Sequence, residues 1–222
     1  MKKGRKIFWI AICLFAAFAG WTVMVRLVDV RPIGPWGSIV GFAGLNDACH
    51  RMTGVHLTLY TITDWLGLVP IAVALGFAVL GLCQWIKRRS VLRVDRSILV
   101  LGGFYLAVMV VYLFFEMVVI NRRPVLIEGY LEASYPSSTT MLVLCVMPTA
   151  MLQLYTRIRH SVCRRWLMIL IGAFTVFMTL GRLFSGVHWI TDIIGGIMIS
   201  TALVLLYLTA LRFEAKQTLS EH

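Results

Sequence analysis

The sequence predicts an all-α membrane protein, a bundle of six transmembrane helices, and three observations lead to this fold class. Of the 222 residues, 59% are hydrophobic and only 14% are charged, which is unlike an ordinary soluble domain. Several apolar runs of about 20 residues are each long enough to cross a bilayer as a helix. The formal net charge of +11 comes from Lys and Arg clustered in short segments between these runs. It therefore indicates membrane orientation rather than nucleic-acid binding.

The predicted spans belong to one membrane-embedded domain that covers residues 1–222. A basic N-terminal segment precedes the first apolar run, as it does in cleaved signal peptides. However, this run continues through Trp21 and Met24, which favours an uncleaved helix. The six spans are expected at about residues 7–28, 66–86, 97–120, 138–156, 166–181 and 188–211.

The segment between the first two spans, residues 29–64, is rich in Gly and Pro and is predicted to be a loop. It is too long for a plain connection, and Trp36, Tyr60 and Trp65 indicate that parts of it lie in the membrane interface. His50 and His56 fit surface polar residues better than ligands. The five cysteines are scattered without paired spacing, so the sequence indicates neither a disulfide framework nor a metal site, and no cofactor is expected.

The distribution of Lys and Arg predicts the orientation of the chain. With six spans, both termini lie on the same side of the membrane. That side holds 15 of the 21 Lys and Arg residues, and the opposite side holds 6. The positive-inside rule therefore places both termini in the cytoplasm and the other three connections outside.

The stretch from Gly181 to Asp192 places polar residues between two long apolar runs, where they are costly. His188 and Asp192 are four residues apart, so on a helix they share one face and the carboxylate can hold the imidazole. With Ser185 as the N-cap, His188 is expected in the first turn, where the helix dipole disfavours its charged form. A neutral His steered by a carboxylate is a nucleophile or a base, and Arg182 beside free N–H groups suits a phosphate. The plainer interpretation is a His and an Asp that cap and pair at the membrane interface.

A second polar stretch is predicted on the same side, between the third and fourth spans. Arg122 and Arg123 end the third span, and Ser137 or Ser138 after Pro136 is expected to cap the fourth helix. The free N–H groups of that helix start again suit a phosphate. Caps and snorkelling arginines explain each feature singly. Their coincidence with a His–Asp pair on one membrane face indicates a phosphate site.

These two stretches together resemble the signature of the phosphatidic acid phosphatase type 2 (lipid phosphate phosphatase) family, which has three parts. In that family Lys and six residues precede Arg-Pro; Pro-Ser-Gly-His follows; and the last part is Ser-Arg, five residues, His, three residues, Asp. The last part is matched at the family's spacing by Arg182, His188 and Asp192, with Gly181 in place of Ser.

The first two parts of the signature are matched less completely. Arg123-Pro124 ends the first part, and Glu116 holds the position of its Lys. Two of the four residues of the second part agree, and the corresponding positions hold Pro136, Ser137, Ser138 (Gly in the family) and Thr139 (His in the family).

The resemblance implies a role for each matched residue. His188 would attack phosphorus to form a phosphohistidine, with Asp192 orienting the imidazole. Arg123, Arg182 and the turn of Ser137 and Ser138 would hold the phosphoryl oxygens and stabilise the charge of the transition state. Water would then hydrolyse the intermediate without a metal.

Thr139 stands where the family has the His that protonates the leaving oxygen. A threonine hydroxyl has no pKa near 7, and losing a general acid costs about 10²–10⁴ in rate. Three explanations are open: a natural, poorly active lipid-phosphate binder, an engineered substitution that disables turnover, or a diphosphate substrate whose leaving group needs little protonation. Glu116, about two turns before Arg123, is expected to anchor an arginine rather than to contact phosphate.

The sequence thus predicts a membrane lipid phosphatase that acts on a lipid phosphate or diphosphate at the extracytoplasmic face of a bacterial cytoplasmic membrane. Polyprenyl diphosphate and phosphatidylglycerol phosphate are candidate substrates. The expected partners are this lipid and the bilayer, with no nucleic acid. The alternative is a non-catalytic lipid-phosphate binding or transport protein that keeps the phosphate cradle.

Overall fold

A computed structural model describes the backbone of residues 2–220 and the surroundings of the side chains of residues 4–213. Six of its helical units are long and apolar enough to cross a membrane, and no strand is present within the described residues, so the prediction of an all-α membrane bundle is confirmed. The helices are α1 (Lys2–Leu27), α2 (Ala43–Thr53), α3 (Leu57–Leu66), α4 (Leu68–Arg88), α5 (Arg96–Met117), α6 (Ser138–Arg157), α7 (Ser161–Phe184) and α8 (Ile190–Ser220).

Residues 29–64 are not the loop that the sequence predicted. Most of the Gly and Pro residues that indicated a loop lie in residues 32–44. The irregular parts are residues 28–42, with a short 3₁₀ turn at Pro35–Gly37, and the short link at residues 54–56. The remainder forms α2 and most of α3. Asn46 of α2 is fully buried and its side chain bonds Thr191 of α8, so α2 is part of the folded bundle.

The helices α3 and α4 form one continuous unit because Gly67 between them keeps helical dihedral angles, φ −60° and ψ −19°. The unit spans residues 57–88 and is 32 residues long. A bilayer crossing needs about 20 residues. The unit therefore has residues to spare at its α3 end, and there α3 packs against α7.

The centre of the bundle is formed by α6 and α8. Half of the residues in the membrane-spanning parts of these two helices are buried, against 11–22% in the other four spans. α1 packs along α8, and Phe18, Phe104 and Tyr207 join the same apolar cluster. In lipid such helices are held together by close packing rather than by water exclusion.

Close approach of the backbone brings the starts of α6 and α8 together. A β-carbon added to Gly195 of α8 would lie 2.7 Å from the ring of Tyr135, so only glycine leaves room for that ring. The backbone N–H of Ser137 then donates to the carbonyl of Asp192 at 3.1 Å. The polar residues that precede both helices consequently meet at one end of the bundle.

Candidate active site

Three connecting segments meet at this end of the bundle, and backbone hydrogen bonds join them. The N–H of His56, before α3, donates to the carbonyl of Ser185 at 2.9 Å. The indole N–H of Trp189, before α8, donates to the carbonyl of Arg122 at 2.8 Å. Residues far apart in the sequence thus form one polar region.

The turn between α7 and α8 differs from the prediction. Ser185 is the C-cap of α7 rather than the N-cap of α8, because its N–H bonds the Gly181 carbonyl and its hydroxyl donates to the carbonyl of Arg182 at 2.9 Å. Gly186 then takes φ +69° and passes against the backbone of Gly54, as only a residue without a side chain can. His188 lies in this turn, two residues before α8 begins, and not in a first helical turn.

His188 is buried and each of its ring nitrogens has a different neighbour. Nδ1 lies 3.2 Å from the carbonyl oxygen of Ser134, and Nε2 lies 3.2 Å from Nη2 of Arg182. A carbonyl can only accept and a guanidinium can only donate. The network therefore assigns the proton to Nδ1 and leaves the Nε2 lone pair facing Arg182.

Asp192 lies beside the imidazole but is not its main hydrogen-bond acceptor. Its Oδ2 is 3.7 Å from Nδ1 of His188, beyond hydrogen-bond distance, and the same oxygen accepts the N–H of Trp189 at 2.9 Å. Asp192 thereby caps the start of α8 from its third position. The sequence correctly paired these two residues in space, but it missed the carbonyl of Ser134 that holds Nδ1.

The surroundings of His188 favour the uncharged imidazole. Burial, and then the positive charges of Arg123 and Arg182, lower the pKa of His188 well below its usual range, although the bond to Ser134 opposes this. The imidazole is therefore neutral at physiological pH, and the lone pair on Nε2 accepts a hydrogen bond from Arg182.

The two arginines are both buried next to this imidazole. Arg182 is 1% exposed and Arg123 is 8% exposed, and both guanidinium groups lie near the ring of Tyr60, at 5.0 Å and 5.9 Å. Buried arginines carry a desolvation cost unless they are paired. Within the described residues, Nε of Arg182 and Nη1 of Arg123 have no hydrogen-bond partner, so both groups keep donors available for a ligand.

Each arginine has one acidic partner that the sequence did not indicate. Arg182 Nη1 lies 3.5 Å from Oδ1 of Asp64, and Arg123 Nε lies 3.0 Å from Oε2 of Glu132. Glu116, which the sequence proposed as the anchor of an arginine, instead lies beside Tyr112 on its own helix. The anchor of Arg123 is Glu132.

The start of α6 supplies the remaining predicted residues. Ser137 is the N-cap, and its hydroxyl accepts the N–H of Thr140 at 3.5 Å. Ser138 and Thr139 occupy the first helical positions, whose N–H groups have no partner inside the helix. Thr139 lies close to Gly67 at the α3–α4 junction. A β-carbon added to Gly67 would lie 3.6 Å from Cγ2 of Thr139.

Four residues of this site were missed by sequence reasoning, and one signal was available. Asp64 is an acidic residue inside an otherwise apolar segment, which is costly in a membrane protein and often marks function. Tyr60 lies one helical turn before it on the same face. Nothing local indicated Glu132 or the carbonyl of Ser134.

Comparisons with known proteins find one family model that matches the C-terminal part of the chain. Residues 121–216 match the model of the PAP2 superfamily. No curated protein sequence matches the chain. Among solved structures, the crystal structure of the first transmembrane PAP2 type phosphatidylglycerolphosphate phosphatase from Bacillus subtilis is 21% identical, covers 97% of this chain and 98% of that chain, and has a TM-score of 0.44. A likeness of this degree carries no conclusion about substrate or mechanism.

The matched region contains the two arginines, the start of α6, His188 and Asp192. The family match therefore confirms the resemblance drawn from the three motifs and the prediction of a phosphoric ester hydrolase. Residues 121–216 of this multi-pass membrane protein are thus similar to the PAP2 superfamily.

Proposed function

We propose that this protein hydrolyses a lipid phosphate at the extracytoplasmic face of the membrane and that His188 carries the phosphoryl group as a phosphohistidine. One observation carries the proposal. A buried, neutral imidazole presents the lone pair of Nε2 towards a guanidinium group that has donors to spare. A nucleophile thus lies where an anionic phosphate would be held.

The nucleophile is prepared by the groups on the other side of the ring. Nδ1–H donates to the Ser134 carbonyl, and the Asp192 carboxylate lies 3.7 Å away. Both stabilise the positive charge that develops on the ring when Nε2 bonds to phosphorus. Asp192 therefore orients and stabilises rather than reacts.

The phosphoryl oxygens are held by positive charge and by N–H groups. Arg123 and Arg182 supply two guanidinium groups, which match phosphate geometry. The first-turn N–H groups of Ser138 and Thr139 add the positive end of the α6 dipole, and Ser137 holds that turn in place as its N-cap. Such prearranged donors stabilise the charge of the transition state.

The membrane location favours a lipid substrate. The site lies at one end of a bundle whose spans are apolar, the depth at which a phospholipid head group is found. The excess of Lys and Arg at the opposite end, 15 of 21, supports an extracytoplasmic position of the site by the positive-inside rule. Phosphatidylglycerol phosphate and polyprenyl diphosphate are the substrates that we propose to test first.

The second candidate function is lipid-phosphate binding without turnover. It is favoured by Thr139, which cannot protonate a leaving group. Both functions require the same arginines, so binding alone does not separate them.

Phosphate release from purified protein tests the proposal. Dioleoyl phosphatidic acid, phosphatidylglycerol phosphate and undecaprenyl diphosphate are presented in mixed micelles to the parent protein and to His188→Ala. We expect release by the parent and a loss of about 10⁶-fold in His188→Ala, the scale seen when a covalent nucleophile is removed. Labelled phosphate that stays on quenched parent protein, and is released by acid but not by base, would identify the phosphohistidine.

Two results would count against the proposal. Equal release by His188→Ala and by the parent would reject His188 as the nucleophile. Tight binding of all three lipids with no release would favour the binding protein.

A further inference from the structure

Cleavage of an alkyl phosphate needs a proton for the leaving oxygen, and few acidic groups face the site. Asp192 lies on the Nδ1 side of the imidazole and its Oδ2 holds the N–H of Trp189, so it is on the wrong side of the ring. Glu132 is paired with Arg123, which makes no contact with Nε2. Among the described residues, Asp64 is the carboxylate that contacts the guanidinium group next to Nε2.

Asp64 approaches the nucleophile through a single guanidinium group. Its Oδ1 lies 3.5 Å from Nη1 of Arg182, and Nη2 of the same group lies 3.2 Å from Nε2 of His188. Phosphorus must come within about 3–3.5 Å of the nucleophile, with the leaving oxygen on its far side. A proton donor must lie about 2.6–3.2 Å from that oxygen. A phosphate held by Arg182 would thus lie between Nε2 and Asp64, and its leaving oxygen would point towards the Asp64 carboxyl group.

Asp64 also lies on the same side of the site as Thr139. The carbonyl of Asp64 and Cγ2 of Thr139 would lie 2.8 Å and 3.6 Å from a β-carbon added to Gly67. The backbone of Asp64 therefore belongs to the turn that packs against the start of α6.

We propose that Asp64 is the acid–base residue of the reaction, an inference that rests on the proposed function. In the absence of substrate it pairs with Arg182. The substrate phosphate takes its place on the guanidinium, so the Asp64 carboxyl group is released from Arg182 and lies next to the phosphate. Its side chain is 56% exposed, so the proton comes from interfacial water.

The chemistry balances in two steps. First, the Nε2 lone pair of His188 forms a bond to phosphorus, the P–O bond of the ester breaks with its electron pair on oxygen, and that oxygen takes the proton of Asp64. Then water adds to phosphorus and gives one proton to the Asp64 carboxylate, and the N–P bond breaks with its electron pair returning to Nε2. Lipid alcohol and inorganic phosphate leave, and Asp64 is again an acid.

Four charged or titratable side chains surround Asp64. Arg182 is its direct partner, Tyr60 lies one turn before it, and Arg123 and Glu132 are the next charges around that phenol. Of the two arginines that would bind the phosphate, Arg182 is the one that contacts both Asp64 and Nε2 of His188. Glu132→Gln is therefore the matched control, since it removes the acidic partner of the other arginine.

Two kinds of substrate separate proton transfer from a structural role. The parent, Asp64→Asn, Asp64→Glu and Glu132→Gln are compared on dioleoyl phosphatidic acid, an alkyl ester, and on p-nitrophenyl phosphate, whose leaving group needs no proton. We expect Asp64→Asn to lower kcat on the alkyl ester by about 10²–10⁴-fold. On the aryl ester it should still release a rapid burst of nitrophenol equal to the enzyme present and then turn over slowly, because water lacks its base. Asp64→Glu should recover part of kcat, and Glu132→Gln should change KM more than kcat.

A second variant places an acid at the position of Thr139. If Asp64 supplies the proton, Thr139→His should restore turnover of the alkyl ester in Asp64→Asn and add little to the parent. Unchanged kcat of Asp64→Asn on the alkyl ester would overturn the inference while leaving His188 as the nucleophile. An equal loss on both substrates without a burst would assign Asp64 to holding Arg182. A parent protein inactive on every ester would instead reject the proposed function.

Discussion

The two ends of the bundle each hold a cluster of charged residues, and the clusters are built in opposite ways. At the end opposite His188, Asp95 accepts hydrogen bonds from Gln84 at 2.8 Å and Arg88 at 3.0 Å, and its own N–H donates to Gln84 at 2.9 Å. This carboxylate is 40% exposed. The hydrogen-bonding groups of this cluster are paired with one another, and the cluster is open to water.

The cluster around His188 is buried and incomplete. Arg182 and Asp192 are 1% and 0% exposed. Within the described side chains, every buried polar atom that lacks a hydrogen-bond partner lies in or next to the segments at this end, in Ser38, Asn121, Arg123, Ser134, Thr140, Arg182 and Asp192. Native proteins leave few such groups unpaired. The comparison therefore separates a cluster whose polar groups are paired with one another from a cluster that we propose binds the substrate phosphate.

The largest expected effect is at the buried cluster. Arg182→Ala should lower kcat/KM by about 10²–10³-fold or more, the cost of removing one transition-state donor. Arg182→Lys should recover little, because an ammonium group cannot contact the phosphate, Asp64 and His188 as a planar guanidinium does. Steady-state kinetics on a lipid phosphate measure both variants. Full activity of Arg182→Lys would show that only the charge matters.

A smaller effect is expected at Asp192. Asp192→Asn should lose less activity than Arg182→Ala, and far less than the roughly 10⁴-fold found when the orienting Asp of a Ser-His-Asp triad is replaced, because the Ser134 carbonyl also holds Nδ1–H at 3.2 Å. The loss should appear in kcat, since the residue does not contact the phosphate. A loss as large as that of His188→Ala would mean that Asp192, not Ser134, determines the tautomer.

The exposed cluster should affect stability and not catalysis. Hydrogen bonding from Gln84, and then from Arg88, lowers the pKa of Asp95 below its ordinary value of 3.8. A lowered pKa stabilises the fold above the ordinary value, and this stability is lost as the pH falls through the folded-state pKa. Asp95→Asn should therefore lower the free energy of unfolding by about 1 kcal/mol or less at pH 7.

The measurement is the Tm of Asp95→Asn and of the parent as a function of pH. The difference in Tm should shrink when the pH is lowered through about 4, while kcat at pH 7 stays at the parent value. A fall in kcat as large as that of Asp192→Asn would show that the two ends are coupled.

The last prediction concerns the orientation of the bundle in the membrane, and its two variants are expected to keep the activity and stability of the parent. Tyr130 and Leu92 are highly exposed, at 72% and 89%, and lie in connections at opposite ends of the bundle. In a cysteine-free background, Tyr130→Cys should react with a membrane-impermeant thiol reagent in intact cells. Leu92→Cys should react only after permeabilisation, and the reverse pattern would place the site in the cytoplasm.

Local patterns in the sequence determined much of this protein. Hydrophobic runs and the Lys and Arg between them predicted the six-helix bundle, because a bilayer imposes both length and composition on a span. Fixed spacings brought Arg182, His188 and Asp192 into one site. Predictions that depended on the path of backbone turns were wrong. Ser185 ends α7 instead of beginning α8, and residues 29–64 contain α2 and most of α3 after their Gly-rich first part.

Only the tertiary structure decided what completes the site. Asp64 meets Arg182 across 118 residues of sequence, and the carbonyl of Ser134 meets His188 across 54. The first contact depends on the packing of α3 against α7, and the second on the path of the segment before α6. A backbone carbonyl has no residue type that could mark it, and a single carboxylate in an apolar helix does not name its partner. Spacing along a helix can predict neighbours one turn apart, whereas these pairs exist only because the helices pack as they do.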